Sequence, residues 1–371
     1  MTTQASAIDY TARLASVQAR LDEPNLDALL VFGSANRRYL SGFTTIDTTI
    51  GEYAGSVLVL RDRAVLLVSP LYADQAKAES GIGEPVELQG RMKKLLPERL
   101  KEWGVRRLGF ERDYTLYGLY EDIAKGLPDD AEMIPVENFV EDLRLRKDAE
   151  EQEALRRVAR IADEAYERAV NTMTPGILER DLARRLDEQM VELGADGPAF
   201  GTIVAAGANS ARPHHEPGGK PLEPGDAVVI DMGARLDGYC SDMTRSFSVG
   251  VSNARYDELY ALVLDAHNRS KAAVRRGASG KDVDAVAREL FKDAGYETEF
   301  SHSLGHGLGL DVHERPSLGK ESEDTLEAGM VVTIEPGLYF GGWGGIRIED
   351  SVIVTEDGSE TLNHALKTSR V

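Results

Sequence analysis

The stretch VVIDMGARLDGYCSDMTRSF, residues 228–247, sets the architecture expected for this 371-residue chain. An apolar run ends in Asp231, a glycine-containing segment follows, and Asp242 comes eleven residues later, before another strand-like run. A carboxylate inside a buried strand is unfavourable unless it is paired or binds a cation. The stretch therefore predicts glycine-rich strands that hold acidic side chains close to a cation.

The last third of the chain repeats this pattern with three more ionisable residues. Glu335 follows an apolar run, Glu349 lies between two apolar runs, and His306 sits in the glycine-rich SHSLGHGLGL. Any one of these residues alone is more often a turn residue or a hydrogen-bonded core group than a metal ligand. Together with Asp231 and Asp242 they give four carboxylates and one imidazole with few basic neighbours. Two divalent cations would balance the four negative charges.

The types of ligand limit which metal ions can bind and which reactions these ions can support. Oxygen-rich coordination with one imidazole suits Mn²⁺, Co²⁺, Fe²⁺ or Zn²⁺. The chain has a single cysteine, Cys240, so it lacks the thiolates of a structural zinc site. Two such ions about 3.5–4 Å apart can share a hydroxide and deprotonate it near neutral pH. The pattern therefore predicts hydrolytic chemistry.

Composition excludes several classes of protein. A content of 42% hydrophobic and 29% charged residues is ordinary for a globular chain. The net charge of −20 argues against nucleic-acid and anionic-membrane partners, which require basic surface. The chain has no apolar run near the roughly 18 residues that span a bilayer, and its first twenty residues lack a signal-peptide pattern. With one cysteine, we expect a soluble, cytoplasmic protein.

The length predicts two domains, because a single core seldom grows past roughly 250–300 residues. In residues 1–145, helices and strands alternate, which indicates an α/β domain with a mixed sheet. A hairpin is expected around residues 57–68, and GSANRRYLSG at 33–42 is typical of a turn. A long amphipathic helix opens residues 146–371, where helices and glycine-rich strands are segregated within two similar halves. This second domain is therefore predicted to be α+β.

The order Asp231, Asp242, His306, Glu335, Glu349 resembles the five-ligand dinuclear site of the pita-bread metallopeptidases, which include methionine aminopeptidase, aminopeptidase P and prolidase. The surrounding sequence is similar to the proline-specific branch in HSLGHGLGLDVHE, VVTIEPGLY and GGIRIEDSVIVT. The resemblance is strong over about residues 150–365 and weaker in DALLVFGSANRRYLSGF. It implies a pita-bread catalytic domain at 146–371 behind a creatinase-type α/β domain at 1–145.

The resemblance also implies an activity and a cofactor. Asp242 and Glu349 are expected to bridge two divalent ions, with Asp231 completing one ion and His306 and Glu335 the other. Manganese is the first expectation, with cobalt and zinc as alternatives. The implied enzyme is an exopeptidase that hydrolyses the Xaa-Pro bond of dipeptides or of peptide N-termini by attack of metal-activated hydroxide. Similar enzymes form homodimers or higher homo-oligomers.

Further residues match positions around the family's site. His214 matches a histidine near the leaving group or the tetrahedral intermediate, and His302 and His313 match residues that line the substrate pocket. Glu335 is also expected to accept a proton from the attacking water. Arg347 matches an arginine that organises the carboxylates or the substrate, a role compatible with a plain salt bridge.

Other candidates have simpler interpretations. His215 is left as a second pocket residue, and His267 and His364 are expected to face solvent. Cys240 is expected to be a small buried hydrophobic residue. The glycines at 305, 307 and 309 do not form a GxGxxG motif and instead indicate close backbone packing beside the metals.

Three alternatives stay open. A methionine aminopeptidase shares the ligands but typically lacks a domain like residues 1–145. A creatinase-like amidinohydrolase shares both domains but works without metal. A non-enzymatic pita-bread binding protein usually loses ligands, whereas all five positions are filled here.

Overall fold

The structure is a computed structural model, and it describes residues 8–371 apart from 46, 48, 50, 89–91 and 175. The chain divides into two compact units, with the boundary between Arg144 and Leu145. Within the described ranges, no helix combines the length and the apolar character that crossing a membrane requires.

The first unit contains a mixed six-stranded sheet. Its strands are β1 (Ala28–Val31), β2 (Gly55–Leu60), β3 (Ala64–Val68), β4 (Val86–Glu87), β5 (Arg107–Glu111) and β6 (Glu132–Val136). Its helices are α1 (Tyr10–Arg20), α2 (Ser34–Ser41), α3 (Ala73–Glu79), α4 (Met92–Glu102), α5 (Tyr117–Gly126) and α6 (Glu141–Arg144). The strand order is β4-β3-β2-β1-β5-β6, with β1 antiparallel to β2 and parallel to β5. The predicted mixed sheet and the β2–β3 hairpin are confirmed.

The prediction of a turn at residues 33–42 is wrong, because helix α2 lies there. The helix ends at Ser41, and the next residue, Gly42, has a left-handed φ of 82°, as is common just after a helix. Before its first turn, the carboxylate of Glu111 accepts hydrogen bonds from the backbone N–H groups of Phe32 (2.7 Å) and Gly33 (2.8 Å). The sequence alone did not reveal that a buried partner distant in sequence satisfies these backbone groups.

The second unit holds the longer helices and most strands. Its helices are α7 (Ala149–Asn171), α8 (Glu179–Glu192), α9 (Ala254–Ala273) and α10 (Gly280–Asp293). Its strands are β7 (Gly197–Pro198), β8 (Ile203–Ala206), β9 (Ala227–Met232), β10 (Ala234–Leu236), β11 (Tyr239–Cys240), β12 (Met243–Ser248), β13 (Gly305–Gly307), β14 (Glu314–Leu318), β15 (Val331–Ile334), β16 (Gly337–Phe340), β17 (Gly344–Arg347), β18 (Asp350–Val354) and β19 (Ser359–Thr361).

Two cores divide this unit into similar halves. Apolar side chains of α7 and α8 pack against β8, β9 and β12, which form one sheet in the order β12-β9-β8. Those of α9 and α10 pack against the sheet β14-β13-β15-β18-β19 and against the β16–β17 hairpin. The strands β11, β10 and β7 form a further small sheet. The predicted α+β architecture is confirmed.

The expectation that His267 faces solvent is also wrong. His267 is fully buried on α9, on the same face as Val263, Ala266 and Ser270. Its Nε2 atom lies 3.3 Å from Oδ2 of Asp350, which is itself fully buried. Burial lowers the pKa of His267, although the neighbouring carboxylate raises it. The apolar side chains three and four residues away mark the buried helix face and could have corrected the prediction.

Two simpler predictions agree with the structure. His364 is exposed. Cys240 is buried, with its Sγ atom near the carbonyl oxygens of Gly238 and Leu310. Burial raises the pKa of this thiol to about 12, so it behaves as a small apolar residue.

Candidate active site

Strands of both halves of the second unit bring the five predicted ligand residues to one cavity of about 670 Å³. Asp231 belongs to β9, and Asp242 immediately precedes β12. His306 is the central residue of β13, Glu335 directly follows β15, and Glu349 lies between β17 and β18. Residues separated by as many as 118 positions in sequence therefore share one polar centre.

The other predicted site residues line the same cavity. They are His214, His302, His313 and Arg347, and His215 lines it as well. The walls also include apolar side chains of Phe200, Ile203, Pro213 and Val312. A concave site with a few convergent polar groups on apolar walls is typical of a small-molecule or peptide pocket.

Three of the predicted ligands are already arranged for a cation. Asp242, His306 and Glu349 each present a ligand atom, and these atoms lie within 4.8 Å of one another. His306 Nε2 is 3.7 Å from Asp242 Oδ2 and 3.3 Å from Glu335 Oε1. His306 Nδ1 lies 3.0 Å from the carbonyl oxygen of Gly307, so Nδ1 carries a proton and Nε2 is the ligand atom.

Two carboxylate oxygens lack the partner that burial would normally demand. Asp231 Oδ1 and Glu349 Oε1 are buried and have no hydrogen-bond partner among the described residues. Burial, together with the charges of Glu335 and Asp231, holds the pKa of Glu349 well above its usual range. Burial and the neighbouring carboxylates do the same to the pKa of Asp242. Divalent cations would satisfy both the unpaired oxygens and the repulsion, so the residues fit such ions.

Glu335 and His306 each shift the pKa of the other against the effect of burial. Burial raises the pKa of Glu335, but the hydrogen bond and charge of His306 outweigh it and bring the value to about 2. Burial lowers the pKa of His306, but Glu335 raises it to about 9. A metal ligand must release its proton, so a cation would take over the positive charge that the imidazole now carries.

A chain of hydrogen bonds links Asp231 to His302. Arg347 Nη2 lies 2.6 Å from Asp231 Oδ2, and Arg347 Nη1 donates to the Tyr339 hydroxyl at 2.7 Å. His302 Nε2 lies 2.9 Å from the same hydroxyl, and His302 Nδ1 lies 2.7 Å from the carbonyl oxygen of Ser303. Because a carbonyl only accepts, Nδ1 is the donor and Nε2 accepts from Tyr339. Both nitrogens of His302 are therefore engaged inside the protein.

Thr244 joins this chain of hydrogen bonds to Glu349, one of the predicted ligands. Its hydroxyl donates to Glu349 Oε2 at 2.7 Å and accepts from Arg347 Nε at 3.0 Å. It also faces Asp231 across the β9–β12 ladder. Sequence reasoning missed Thr244 and Tyr339, since a hydroxyl in a strand attracts no attention. Their positions within two residues of Asp242 and four of Glu335 are the signal that could have identified them.

His214 and His313 are free to meet a substrate. The rings of His313 and His306 meet edge to face with their centroids 4.3 Å apart. Burial and the charge of His306 lower the pKa of His313, which favours a neutral imidazole. His214 is exposed, and neither ring has a side-chain hydrogen bond to any part of the chain that the structure describes.

The glycines beside His306 are required by close packing, as predicted. A Cβ atom on Gly305 would overlap the carbonyl oxygen of Thr333, and one on Gly307 would overlap that of Arg315. These carbonyls belong to β15 and β14, the strands that pair with β13 on either side. The absence of side chains allows the backbone to present His306 to the cavity.

Comparisons with known proteins relate both parts of the chain to metallopeptidases. Residues 153–356 match metallopeptidase family M24, and residues 13–146 match the creatinase/prolidase N-terminal domain. The Xaa-Pro dipeptidase of Pyrococcus horikoshii is 37% identical over 350 residues, 94% of this chain and 95% of the relative. A solved Xaa-Pro dipeptidase from Bacillus anthracis is 36% identical with a TM-score of 0.92, covering 98% of this chain and 100% of that one. An X-Pro aminopeptidase from Thermotoga maritima is 33% identical with a TM-score of 0.85, covering 95% and 99%.

Proposed function

Because this chain belongs to metallopeptidase family M24, we propose that it is a dinuclear-metal exopeptidase that hydrolyses the peptide bond before proline. The observation that carries the proposal is the convergence of four carboxylates and His306 on one cavity, with unpaired buried oxygens on Asp231 and Glu349. Divalent cations would satisfy these oxygens, and the family to which the chain belongs is a metallopeptidase family.

The ligand set fits two divalent cations. Asp231, Asp242, His306, Glu335 and Glu349 would hold them, since all five line the same cavity. Manganese is the first choice, with cobalt and zinc as alternatives. When bound, such cations polarise the scissile carbonyl and supply hydroxide near neutral pH.

The protein's own groups would orient the reactants and move protons. Glu335 is ionised, since its pKa is about 2, and it accepts a proton from the attacking water. His214 and His313 face the cavity with free nitrogens, and they donate hydrogen bonds to the developing oxyanion. His302 instead supports Tyr339, which holds Arg347 against Asp231.

The choice of an Xaa-Pro substrate rests on two kinds of support. Relatives and solved structures across nearly the whole chain carry the names Xaa-Pro dipeptidase and X-Pro aminopeptidase. The apolar wall formed by Phe200, Ile203, Pro213 and Val312 also suits the hydrocarbon face of a pyrrolidine ring. Either a dipeptide or the N-terminus of a longer peptide is a suitable substrate.

Two further points extend the proposal. The protein works in the cytoplasm, in keeping with a chain that has one cysteine. It assembles as a homodimer or a larger homo-oligomer, as the resemblance to proline-specific enzymes implies.

Hydrolysis assays test the proposal. After chelation and reloading with Mn²⁺, Co²⁺ or Zn²⁺, the protein is incubated with Ala-Pro, Ala-Pro-Ala and the control peptides Ala-Ala and Met-Ala. We expect metal-dependent cleavage of the Xaa-Pro peptides only. Equal cleavage of Met-Ala, or normal turnover without metal, would contradict the proposal.

Ligand variants give the matching genetic test. Asp242→Asn and His306→Ala should each reduce Xaa-Pro hydrolysis to background while the fold persists, because both residues contribute to the proposed metal centre. Asp237→Asn is the matched control, since Asp237 is an exposed acidic residue on the turn before β11. Its activity should stay near that of the wild type.

A further inference from the structure

Glu179 is a buried carboxylate that the proposed chemistry does not use. It is the first residue of α8, and its side chain is 0% exposed. Oε1 accepts hydrogen bonds from the backbone N–H of Ala206 (2.8 Å) and from Asn209 Nδ2 (2.9 Å). Oε2 accepts from the backbone N–H of Gly218 (3.1 Å) and lies 3.0 Å from His215 Nε2. Four groups of one segment therefore converge on one carboxylate.

The protonation of this pair follows from its partners. Burial raises the pKa of Glu179, but the hydrogen bonds from Asn209, His215 and the two backbone groups outweigh it and lower the value. An ionised carboxylate can only accept, so His215 Nε2 carries a proton and donates it. The imidazole of His215 is thereby fixed in one orientation, with only 10% of its side chain exposed.

The segment whose groups contact Glu179, residues 206–218, forms part of the cavity wall. It connects β8 to β9, and residues 213–217 of it line the cavity. His214 lies in this stretch, next to His215, whose side chain is tied to Glu179. The position of His214 relative to the substrate therefore depends on a hydrogen-bond centre on α8.

We propose that Glu179 and His215 are positioning residues for hydrolysis: the carboxylate shapes residues 206–218 and, through His215, aligns His214 with the substrate. The inference rests on the proposed function and assigns to it a pair that lies outside the predicted set of ligands and catalytic groups. It also gives the two adjacent histidines different roles. His214 faces the cavity, and His215 fixes the segment that carries His214 by its contact with Glu179.

Substitutions at His215 test the hydrogen bond itself. His215→Gln keeps an N–H donor near the position of Nε2, whereas His215→Phe keeps a planar ring and removes the donor. We expect His215→Phe to lower kcat/KM for Ala-Pro by about 10- to 100-fold through misalignment. His215→Gln should restore most of the activity. Equal losses in both variants would overturn the proposal, because the hydrogen bond to Glu179 would then not be the cause.

A double-mutant cycle tests whether Glu179 acts through His214. Glu179→Gln presents an amide N–H to groups that are themselves donors, and Glu188→Gln on the exposed side of α8 is the control. Glu179→Gln should lower kcat/KM by about 10- to 100-fold in the wild type but by less than about threefold in a His214→Ala background. Equal losses in the two backgrounds would indicate a role that does not involve His214 and would overturn the proposal.

Two controls separate this inference from its premise. In the His215 variants, the amount of bound metal, measured by elemental analysis, and the circular dichroism spectrum should match those of the wild type. These variants keep the test valid if Glu179→Gln does not fold. A wild-type protein that fails to cleave any Xaa-Pro peptide would contradict the proposed function and this inference together. An active wild type with fully active Glu179→Gln and His215→Phe would contradict only the inference.

Discussion

Thr244 shows how an uncharged side chain can control a charged centre. Its hydroxyl has one proton, which it donates to Glu349 Oε2, and its oxygen accepts from Arg347. The other oxygen, Glu349 Oε1, has no hydrogen-bond partner among the described residues, so Thr244 holds the carboxylate with this oxygen unpaired. Partners of this kind that hold a ligand typically contribute 10–100-fold to metal affinity.

A substitution at Thr244 measures that contribution. Thr244→Val preserves the shape of the buried strand residue but removes the hydroxyl, so we expect Mn²⁺ to bind about 10- to 100-fold more weakly. Thr244→Ser keeps the hydroxyl and should bind nearly as tightly as the wild type. Calorimetric titration of chelator-treated protein measures both affinities. Equal affinities for Thr244→Val and the wild type would show that Glu349 does not depend on this hydrogen bond.

At the same scale, the sequence predicted charged residues better than their neutral partners. Asp231 and Glu335 could be recognised because a carboxylate that ends an apolar strand is unusual. Tyr339 and Thr244 were missed because hydroxyl residues are common in strands, and their nearness in sequence to Glu335 and Asp242 was the signal available. The partner of Thr244, Arg347, lies 103 positions away. His267 was assigned to the surface because its partner, Asp350, is 83 positions away in sequence.

At the scale of elements, the start of helix α2 depends on a side chain of strand β5. The carboxylate of Glu111, at the end of β5, accepts from two backbone N–H groups before the helix and from Asn36 Nδ2 at 2.6 Å. Alternation and turn residues were enough to predict the β2–β3 hairpin, whose contacts are local. Helix α2 was missed because the group that stabilises its start lies about 75 residues further along the chain.

The raised pKa of Glu111 predicts that the stability of the folded state depends on pH. Burial raises the pKa of Glu111 to about 7, above its ordinary value of 4.5, although its hydrogen bonds oppose the shift. The folded state therefore binds the proton more tightly, and stability falls as the pH rises from 4.5 to 7. The loss amounts to roughly 3 kcal/mol and is complete above the folded-state pKa.

The Glu111→Gln variant isolates this effect because it has no ionisable group at the position. Urea unfolding of the full chain is followed at pH 5, 6, 7 and 8 for both proteins. The stability of the wild type relative to the variant should decline between pH 5 and 7 and level off by pH 8. A difference that does not change with pH would refute the assigned shift.

At the scale of the whole molecule, part of the acidic charge has a specific place. Four of the carboxylates behind the net charge of −20 line one cavity, and two divalent ions would bring the total to about −16. All five predicted ligand residues belong to the unit that begins at Leu145. A cation that binds there stabilises the folded state of that unit.

The two tryptophans allow this stabilisation to be observed. Trp103 belongs to the first unit and Trp343, between β16 and β17, to the second, so Trp103→Phe leaves Trp343 as the only tryptophan. Mn²⁺ at about 100 times its Kd should stabilise the transition reported by Trp343 by about 2.7 kcal/mol. Thermal unfolding followed by fluorescence measures the shift, and adding Asp242→Asn should abolish it. No shift with the ligands intact would argue against binding at this site.

The glycines on either side of His306 affect how a survey of random substitutions would be interpreted. Gly305 and Gly307 bind nothing, yet any side chain there would collide with the backbone that holds the histidine in place. A map of tolerated mutations would therefore show a band of intolerance around β13 as deep as that at the proposed metal ligands. Such a map measures the space available to the chain as well as its chemistry, and the geometry is needed to tell the two apart.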